Sequence, residues 1–358
     1  MQRMLTVLVV LCTVWLGAWA DPVAIVNTHT DALATADTYT DPSGDTHNFS
    51  AGTTDNLYLD SFVVGSTTYL PLQQAEQIDL RRNAVTGGRQ GDWQIIWYQR
   101  SSKASGPPDT YNQRPSRSAG MEESLLGDII NRGTDNVFAN DTGLANYNNI
   151  ERIDYVINRL GLQAQNTAQL GFGFGIFERG GNDLVKIAAI TAVDASGTPT
   201  AYGPLVSYNT SAWGGVGVNI ATDVYAGYPD TDPGTAGLER EYGVTAEVGS
   251  QQMHGIFTPL TDLGIGVGDI FYGYSVFPGD VDPVANPSQD LVDYTTFPTN
   301  TAGGSSAGGL DLIAGGLVFA PEGDDPDGFV RIPEPASFLL LAAGGLGLLR
   351  RRRSRGGA

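Results

Sequence analysis

Large apolar side chains and glycines alternate without interruption over residues 170–176. The stretch reads Leu-Gly-Phe-Gly-Phe-Gly-Ile, and a strict period of two predicts a β-strand whose two faces differ completely. Because glycine has no side chain to fill a gap, we expect its face to lie against another backbone or an aromatic ring. A Gly-Gly-Asn-Asp turn at 180–183 then precedes a second apolar run at 184–190. Together these segments predict a β-hairpin.

Short strand-like runs dominate the rest of the chain, and turn-forming Gly, Asp, Asn and Pro separate them. The clearest runs are 57–64, 93–98, 150–157, 216–224 and 270–277. This pattern is typical of an antiparallel β-sandwich or jelly roll. One helix is expected over 121–131, where apolar residues recur at helical spacing after Glu122 and Glu123. We therefore predict a mostly β body with one short helix.

The N-terminus has the pattern of a secretory signal peptide. Arg3 precedes an apolar run over residues 5–16, and Ala18 and Ala20 stand where signal peptidase needs small residues. The run is shorter than the roughly 20 residues that span a bilayer. We expect cleavage after Ala20, which also removes Cys12, the only cysteine. The exported chain would then have no disulfide and would depend on its core alone.

The C-terminus has the pattern of a short membrane anchor. Residues 336–349 carry no charge, and an arginine block follows them, namely Arg350, Arg351, Arg352 and Arg353. As a helix the apolar segment would measure roughly 21 Å, short of a hydrocarbon core of about 30 Å, so the bilayer would have to thin locally. Arginines that flank an apolar segment stay cytoplasmic. Both ends therefore predict that the body lies outside and the tail stays in the inner membrane.

Pro333, Glu334 and Pro335 stand directly before this apolar segment. A Pro-Glu-Pro tripeptide, an apolar helix with glycines and a terminal arginine cluster, behind a secretory N-terminus, resemble the PEP-CTERM sorting signal of Gram-negative bacteria. The resemblance implies recognition by exosortase, a membrane cysteine transpeptidase that frees such proteins from their tails, and a link to exopolysaccharide and biofilm matrix. The alternative is a plain anchor that is never cut. The resemblance covers only residues 331–358, so it indicates the sorting route and not the cargo.

The predicted organisation follows from these ends. The four segments are a signal peptide at 1–20, a β-rich exported body at 21–320, a linker with the sorting motif at 321–335, and a transmembrane helix with an arginine-rich tail at 336–358.

The exported body is strongly acidic. It keeps all 39 acidic residues of the chain and loses six of the 20 basic ones, which gives a formal charge of −25. Such a surface repels nucleic acid and anionic lipid, so neither is an expected partner of the body. The negative charge has two interpretations. It could simply keep the secreted body soluble, or it could support calcium-assisted adhesion, since carboxylates are the usual calcium ligands.

Residues that carry metal or redox chemistry are few and scattered. The three histidines, His29, His47 and His254, are isolated, and the exported chain has no cysteine. We therefore expect no zinc or redox metal, and no cofactor. The Asp325-Pro326-Asp327-Gly328 stretch partly resembles a calcium loop, although its prolines fit a linker better. The turn acids Asp230, Asp232, Asp280 and Asp282 are weaker calcium candidates of the same kind.

No catalytic residue can be singled out from the sequence. No helix is expected after the glycines of 171–175, so they are not a dinucleotide fingerprint. Paired carboxylates would suit a glycosidase. In a chain with 39 acidic residues, however, some two of them are expected to lie close together by chance. The segments 132–138 and 148–154 loosely resemble stretches in the bodies of exosortase-sorted proteins, and that resemblance carries no activity.

Two features are candidate glycan contacts. Trp93 and Trp97 are four residues apart and so share a strand face, from which aromatic rings could stack on a sugar; core packing is the commoner use of such residues. The segment 99–120 is expected to be a long loop. It is either solvated or a contact for anionic polysaccharide, through its basic residues Arg100, Lys103, Arg114 and Arg117.

We therefore expect an exported surface or extracellular-matrix protein, sorted by exosortase, without catalytic activity and associated with exopolysaccharide or biofilm. The expected partners are exosortase, the inner membrane (transiently, through the tail) and exopolysaccharide. The protein would end at the cell surface or outside the cell. A carbohydrate-binding module is the first alternative, and a polysaccharide hydrolase or lyase is the second.

Overall fold

Antiparallel pairing dominates the computed structural model, which describes residues 21–32, 37–40, 46–49, 54–83, 94–102, 110–111, 121–140, 149–227, 243–324 and 329–331. The prediction of a mostly β body is confirmed. The strands are β1 (Asp21–Pro22), β2 (Ile25–Ala32), β3 (Asp37–Thr40), β4 (Thr46–Phe49), β5 (Thr54–Val64), β6 (Thr67–Gln74), β7 (Gln77–Arg82), β8 (Gln94–Ser102), β9 (Thr110–Tyr111), β10 (Arg132–Gly133), β11 (Ile150–Val156), β12 (Leu162–Gln163), β13 (Gly173–Arg179), β14 (Val185–Val193), β15 (Pro199–Tyr202), β16 (Val206–Tyr208), β17 (Gly214–Gly227), β18 (Gly243–Pro259), β19 (Ile270–Phe271), β20 (Gly273–Pro278), β21 (Leu317–Pro321) and β22 (Val330–Arg331).

Helical structure is limited to short segments. The α-helix α1 spans Met121–Leu125, and 3₁₀ turns lie at Gln169–Gly171, Thr210–Ala212 and Tyr294–Thr296. The five runs predicted as strands fall on β5, β8, β11 and β17, and on β19 with β20.

Two sheets pack face to face and form the sandwich. The large sheet runs β2-β5-β6-β21-β13-β18-β17-β8-β9-β4-β3, and the small one runs β15-β14-β20-β11-β7. Their facing side chains form one apolar core, to which β13 contributes Phe174 and Ile176 and β20 contributes Tyr274. The ring of Phe174 lies 4.4 Å from that of Tyr274. This contact therefore joins the two sheets at the centre of the sandwich.

The large sheet also folds back on itself. Residues 128–133 connect β5 to β8: Leu59 N–H donates to the carbonyl of Asp128, Gln99 N–H donates to that of Asn131, and β10 pairs with β8. A second apolar core fills the space enclosed in this way. At its centre Phe62 of β5 contacts three rings across the core, those of Phe177, Phe257 and Phe319.

A third, smaller core lies on the outer face of the small sheet. Phe277 and Ala188 project from the sheet and pack against Val281 and Phe297, which belong to the long connection between β20 and β21. This connection therefore covers a sheet face that would otherwise present aromatic side chains to water.

Strand β13 confirms the expectation for the glycine face of the alternating segment. A Cβ on Gly175 would lie 3.0 Å from the rings of both Phe177 and Phe319, and a Cβ on Gly173 would lie 2.1 Å from the carbonyl oxygen of Thr258. Gly171 differs, because a Cβ there would meet nothing within 4 Å. Glycine is therefore required where β13 passes closest to its neighbours, and not along the whole segment.

The predicted hairpin between 170–176 and 184–190 is wrong. β13 pairs with β18 and β21 in the large sheet, whereas β14 pairs with β15, β16 and β20 in the small one. Gly180 and Gly181 both have positive φ, at 119° and 69°, and this conformation takes the chain across from one sheet to the other. The turn was predicted correctly, but the strand that follows it has different partners.

The predicted helix over 121–131 is too long. α1 ends at Leu125, where the backbone of Gly315 takes over the hydrogen bonds: Gly315 N–H donates to the carbonyl of Leu125, and Gly127 N–H donates to that of Gly315, both at 2.8 Å. Gly127 has a φ of 106°, which ends a helix. Ile130, expected on the helix, instead donates its N–H to the carbonyl of Leu57.

The two glycines at the start of the alternating segment give a direct test of this packing. Gly173→Ala should lower the free energy of unfolding by about 1–3 kcal/mol, because its methyl group would collide with the backbone of β18. Gly171→Ala is the matched control and should change it by less than about 0.5 kcal/mol. Urea unfolding of the purified variants measures both values. Equal losses in the two variants would contradict the close approach of β13 to β18.

Candidate functional site: the C-terminal exit from the body

The chain leaves the body through a short strand that is fastened by an aromatic side chain. β22 pairs with β12, and β12 pairs with β19. Phe329, directly before β22, is 7% exposed. Its ring lies 5.0 Å from that of Phe271 and 5.3 Å from that of Phe172. The body therefore extends to Arg331, inside the segment predicted as a linker, and Pro333 follows after one intervening residue.

The local sequence explains why pairing ends at this point. Val330 is β-branched and suits a strand. Pro333 lacks an N–H group and cannot continue a ladder, and it restricts the residue before it to extended conformations. One residue therefore separates the last described strand from the Pro-Glu-Pro tripeptide.

Several predicted site residues lie outside the described residues. These are Ala18 and Ala20 of the signal-cleavage site, the motif residues Pro333, Glu334 and Pro335, the block Arg350, Arg351, Arg352 and Arg353, the candidate glycan contact Trp93, and the candidate calcium ligands Asp230, Asp232, Asp325 and Asp327. The predicted transmembrane helix lies outside them as well. Among the residues that are described, no helix has both the length and the apolar character needed to cross a membrane.

Trp97 is a core residue. Its side chain is fully buried, its Nε1 donates to the carbonyl of Thr134 at 3.1 Å, and the guanidinium of Arg179 lies 5.2 Å from its ring centre. A sugar cannot reach this ring in the folded body. Of the two interpretations that the sequence left open for Trp97, core packing is the one that the structure supports.

Arg179 is the centre of a buried ionic cluster at the end of β13. Its Nη2 lies 2.5 Å from a carboxylate oxygen of Asp135 and 2.6 Å from one of Asp311, and its Nη1 donates to the hydroxyl of Thr222. The side chain is 1% exposed. Two carboxylates and an aromatic ring therefore surround a single buried guanidinium, which links β13 to β17, to the segment after β10 and to the segment before β21.

The adjacent residue on β13, Glu178, is a buried acid. Burial, followed by the neighbouring carboxyl groups of Asp183 and Asp311, raises the pKa of Glu178 well above its usual range. Burial also raises the pKa of Asp183. Trp213 fixes the same region, since its Nε1 donates to the carbonyl of Asp183 at 2.7 Å. The crossing between the two sheets is therefore lined by two carboxyl groups whose pKa values are raised by burial.

A second ionic cluster holds the long β20–β21 connection on the small sheet. Arg152 donates twice to the carboxylate of Asp154, at 2.6 and 3.0 Å, and its Nη1 donates to the carbonyl of Leu291 at 2.6 Å. The hydroxyl of Ser275 and Nε of Arg81 also donate to Asp154. Burial opposes ionisation of Asp154, but Arg152 and these donors hold its pKa below the usual range.

Glu151 lies next to this cluster in a different environment. Its carboxyl group is fully buried and accepts from the side-chain amide of Asn140 at 2.9 and 3.1 Å. Burial raises the pKa of Glu151 to about 8, against the effect of Asn140, and Asp280 raises it further. Asp280 itself accepts from the hydroxyl of Thr301. Glu151 and Asp280 therefore each accept a hydrogen bond from a side chain of the body.

The acids considered as calcium ligands are used differently where they are described. One carboxylate oxygen of Asp282 accepts the N–H groups of Val284 and Ala285 at 3.1 and 3.0 Å, so this residue closes a turn. No group of three or more His, Cys, Asp or Glu side chains that could hold a metal ion occurs within the described part of the chain. His29 lies on the surface beside Asp60, at 2.6 Å.

The segment 132–138 proves to be structural, and its role was not recognised from the sequence. A Cβ on Gly133 would lie 2.1 Å from the carbonyl oxygen of Leu312, the hydroxyl of Thr134 donates to the carbonyl of Ile95, and Asn136 has a φ of 50°. The signal that could have identified it is a dense run of Gly, Thr, Asp and Asn between apolar residues, because buried polar groups need partners.

Comparison with known proteins identifies the tail and nothing else. Residues 331–353 match the family model of the PEP-CTERM protein-sorting motif. The match begins at Arg331, the last residue of β22. No curated protein and no solved structure matches the chain significantly.

The buried acid Glu178 predicts how stability depends on pH. A carboxyl group whose pKa is raised by folding contributes stability that is complete below its ordinary pKa and is lost as the pH rises towards the raised value. The free energy of unfolding should therefore fall between about pH 5 and pH 9, with up to about 1.4 kcal/mol per pH unit from each such group. Glu178→Gln should make this slope shallower in urea titrations at a series of pH values. Glu322→Gln, at an exposed position, should leave the slope unchanged, and equal slopes in all three proteins would refute the assignment.

Proposed function

We propose that the body of this protein is a non-catalytic component of the cell surface or extracellular matrix. The premise is that the chain is an exported protein with a PEP-CTERM sorting motif that exosortase processes. In this proposal the body associates with exopolysaccharide after it has been freed from its tail.

The observation that carries the proposal is the position of β22 next to the sorting motif. Phe329 and β22 fasten the chain to the body up to Arg331, the residue at which the match to the sorting motif begins. A cut near Glu334 would therefore remove the tail and leave every described strand in place. The described part of the body would therefore be released intact.

The buried acids favour a non-catalytic role. A glycosidase needs two carboxyl groups on either side of a bound sugar, with room for water or a nucleophile between them. In this body Glu178 and Glu151 are fully buried, and Asp154 is held by two arginines. Each of these acids therefore serves the packing of the sandwich, which leaves the surface as the part of the body that meets a partner.

The negative charge of the body limits where an anionic polysaccharide could bind. With a formal charge of −25 after processing, its surface as a whole repels polyanions. The predicted continuous loop over 99–120 is wrong, because β8 extends to Ser102 and Thr110–Tyr111 form β9. The basic residues of this segment are still the exception to the acidic surface, and they would give anionic polysaccharide a local contact. Such a contact would weaken as salt is added, because exposed charges are screened within about 10 Å at 0.1 M salt.

Cosedimentation of the processed protein with exopolysaccharide purified from its own host tests the association. The protein should sediment with the polymer at low salt and lose most of this binding at high salt. Changing Arg100, Lys103, Arg114 and Arg117 together to Gln should abolish the binding. Arg159→Gln, a basic residue exposed outside this segment, is the control and should bind as the wild type does.

The same incubation tests the competing functions. New reducing ends in the polymer would show a hydrolase, and new unsaturated ends would show a lyase; either result overturns the non-catalytic assignment. Failure to sediment at any salt concentration would overturn the association with exopolysaccharide. Binding that resists high salt would favour a dedicated carbohydrate-binding surface.

A further inference from the structure

Three exposed aliphatic side chains lie on β19 or shortly before β12 and β19, the two strands that form a three-stranded sheet with β22. Leu160 is 39% exposed, Val267 is 50% exposed and Ile270 is 38% exposed. We use the name exit face for these three residues together with β12, β19 and β22. The other large hydrophobic side chains found exposed in the described part of the chain lie elsewhere: Leu70 on β6, and Val284 and Val292 in the β20–β21 connection.

Strand pairing and two local contacts place the neighbours of these three residues next to one another. Ile270 lies opposite Gln163 in the register of β12 and β19, and Val330 of β22 lies opposite Gln163 on the other side. The side chain of Gln163 donates to the carbonyl of Gly268 at 2.5 Å, beside Val267. A Cβ on Gly161 would lie 2.7 Å from Cγ2 of Ile270, so the loop that carries Leu160 is packed against the same strand.

The length of the chain beyond β22 limits how far this surface can be from a membrane. Five residues lead from Arg331 to Ala336, where the uncharged segment begins, and a fully extended chain of that length reaches about 17 Å at most. A body of roughly 300 residues has a radius of gyration of about 19 Å. The segment between β22 and the uncharged segment is therefore shorter than the body is wide. Because of this, the surface around β22 must face the bilayer while the tail is still inserted.

We infer that the exit face is a membrane-contact surface, which rests against the outer leaflet of the inner membrane before the protein is released. Its partner is the interfacial layer of lipid, into which Leu160, Val267 and Ile270 project. This inference rests on the proposed function, since it requires the tail to be anchored. The contact is apolar and not electrostatic, because exposed Asp269 and Arg159 bring both signs of charge to this end. It holds the motif at the depth of the headgroups, where a membrane enzyme works.

Depth-dependent fluorescence quenching tests the contact on the exported chain before sorting, which begins at Asp21 and keeps its tail. Val267→Cys is the only cysteine of this chain; it is labelled with an environment-sensitive fluorophore, and the chain is reconstituted in dioleoylphosphatidylcholine vesicles with a quencher on the acyl chains near the headgroup. We expect severalfold stronger quenching at Val267→Cys than at the control Val284→Cys, which is 86% exposed in the wild type and lies in the β20–β21 connection. Equal quenching at the two positions overturns the inference.

Flotation of the same vesicles separates this inference from the proposed function. If the chain does not float with the vesicles, the tail is not an anchor, and both the sorting premise and the inference fail. If the chain floats but Val267→Cys is not quenched, only the inference fails. If quenching at Val267→Cys appears only when exosortase is present in the vesicles, the exit face binds the enzyme and not the lipid, and the inference is again overturned.

Discussion

The burial of β13 on both of its faces is the constraint on which the rest of the fold depends. Every residue of this strand is buried, so alternate side chains must fill two separate cores. Phe174 and Ile176 contribute to the core between the sheets, while Phe177 contributes to the core enclosed by the large sheet. Glycine is the residue that allows neighbouring backbone or rings to close the remaining space. The sandwich and the folded-back sheet therefore share one strand as their common wall.

Because β13 is buried on both faces, the polar residues at its C-terminal end need partners inside the protein. Glu178 and Arg179 stand at its last two positions and are as deeply buried as the apolar residues before them. A buried charge without partners costs several kcal/mol, so Arg179 is matched by Asp135 and Asp311, and Glu178 favours its neutral form. No disulfide is expected to reinforce the exported body. These clusters thus connect segments distant in sequence, as Arg152 does on the opposite face of the sandwich.

The sequence predicted features that depend on local order and missed those that depend on partners. The alternation at 170–176 is local, so it predicted the strand from Gly173 onwards and the close contacts of Gly173 and Gly175. It was wrong for Leu170 and Gly171, which lie in a 3₁₀ turn. Which sheet the next strand joins is decided by β18 and β20, far away in the chain, and the hairpin was therefore wrong. In the same way Gly315 ends α1 at Leu125, where helical spacing continues. The sorting motif was recognisable because it is a linear signal, whereas β22 was missed because its two residues are held by Phe329 and not by their own pattern.

The central claim is that a fully folded body, complete at β22, is exported and then separated from its membrane tail directly behind that strand. Intact-mass spectrometry of the protein secreted by its native host tests this claim most directly. The account predicts a mature chain that begins at Asp21, ends near Glu334 and lacks the arginine block. Recovery of extracellular protein that still carries Arg355 would contradict it.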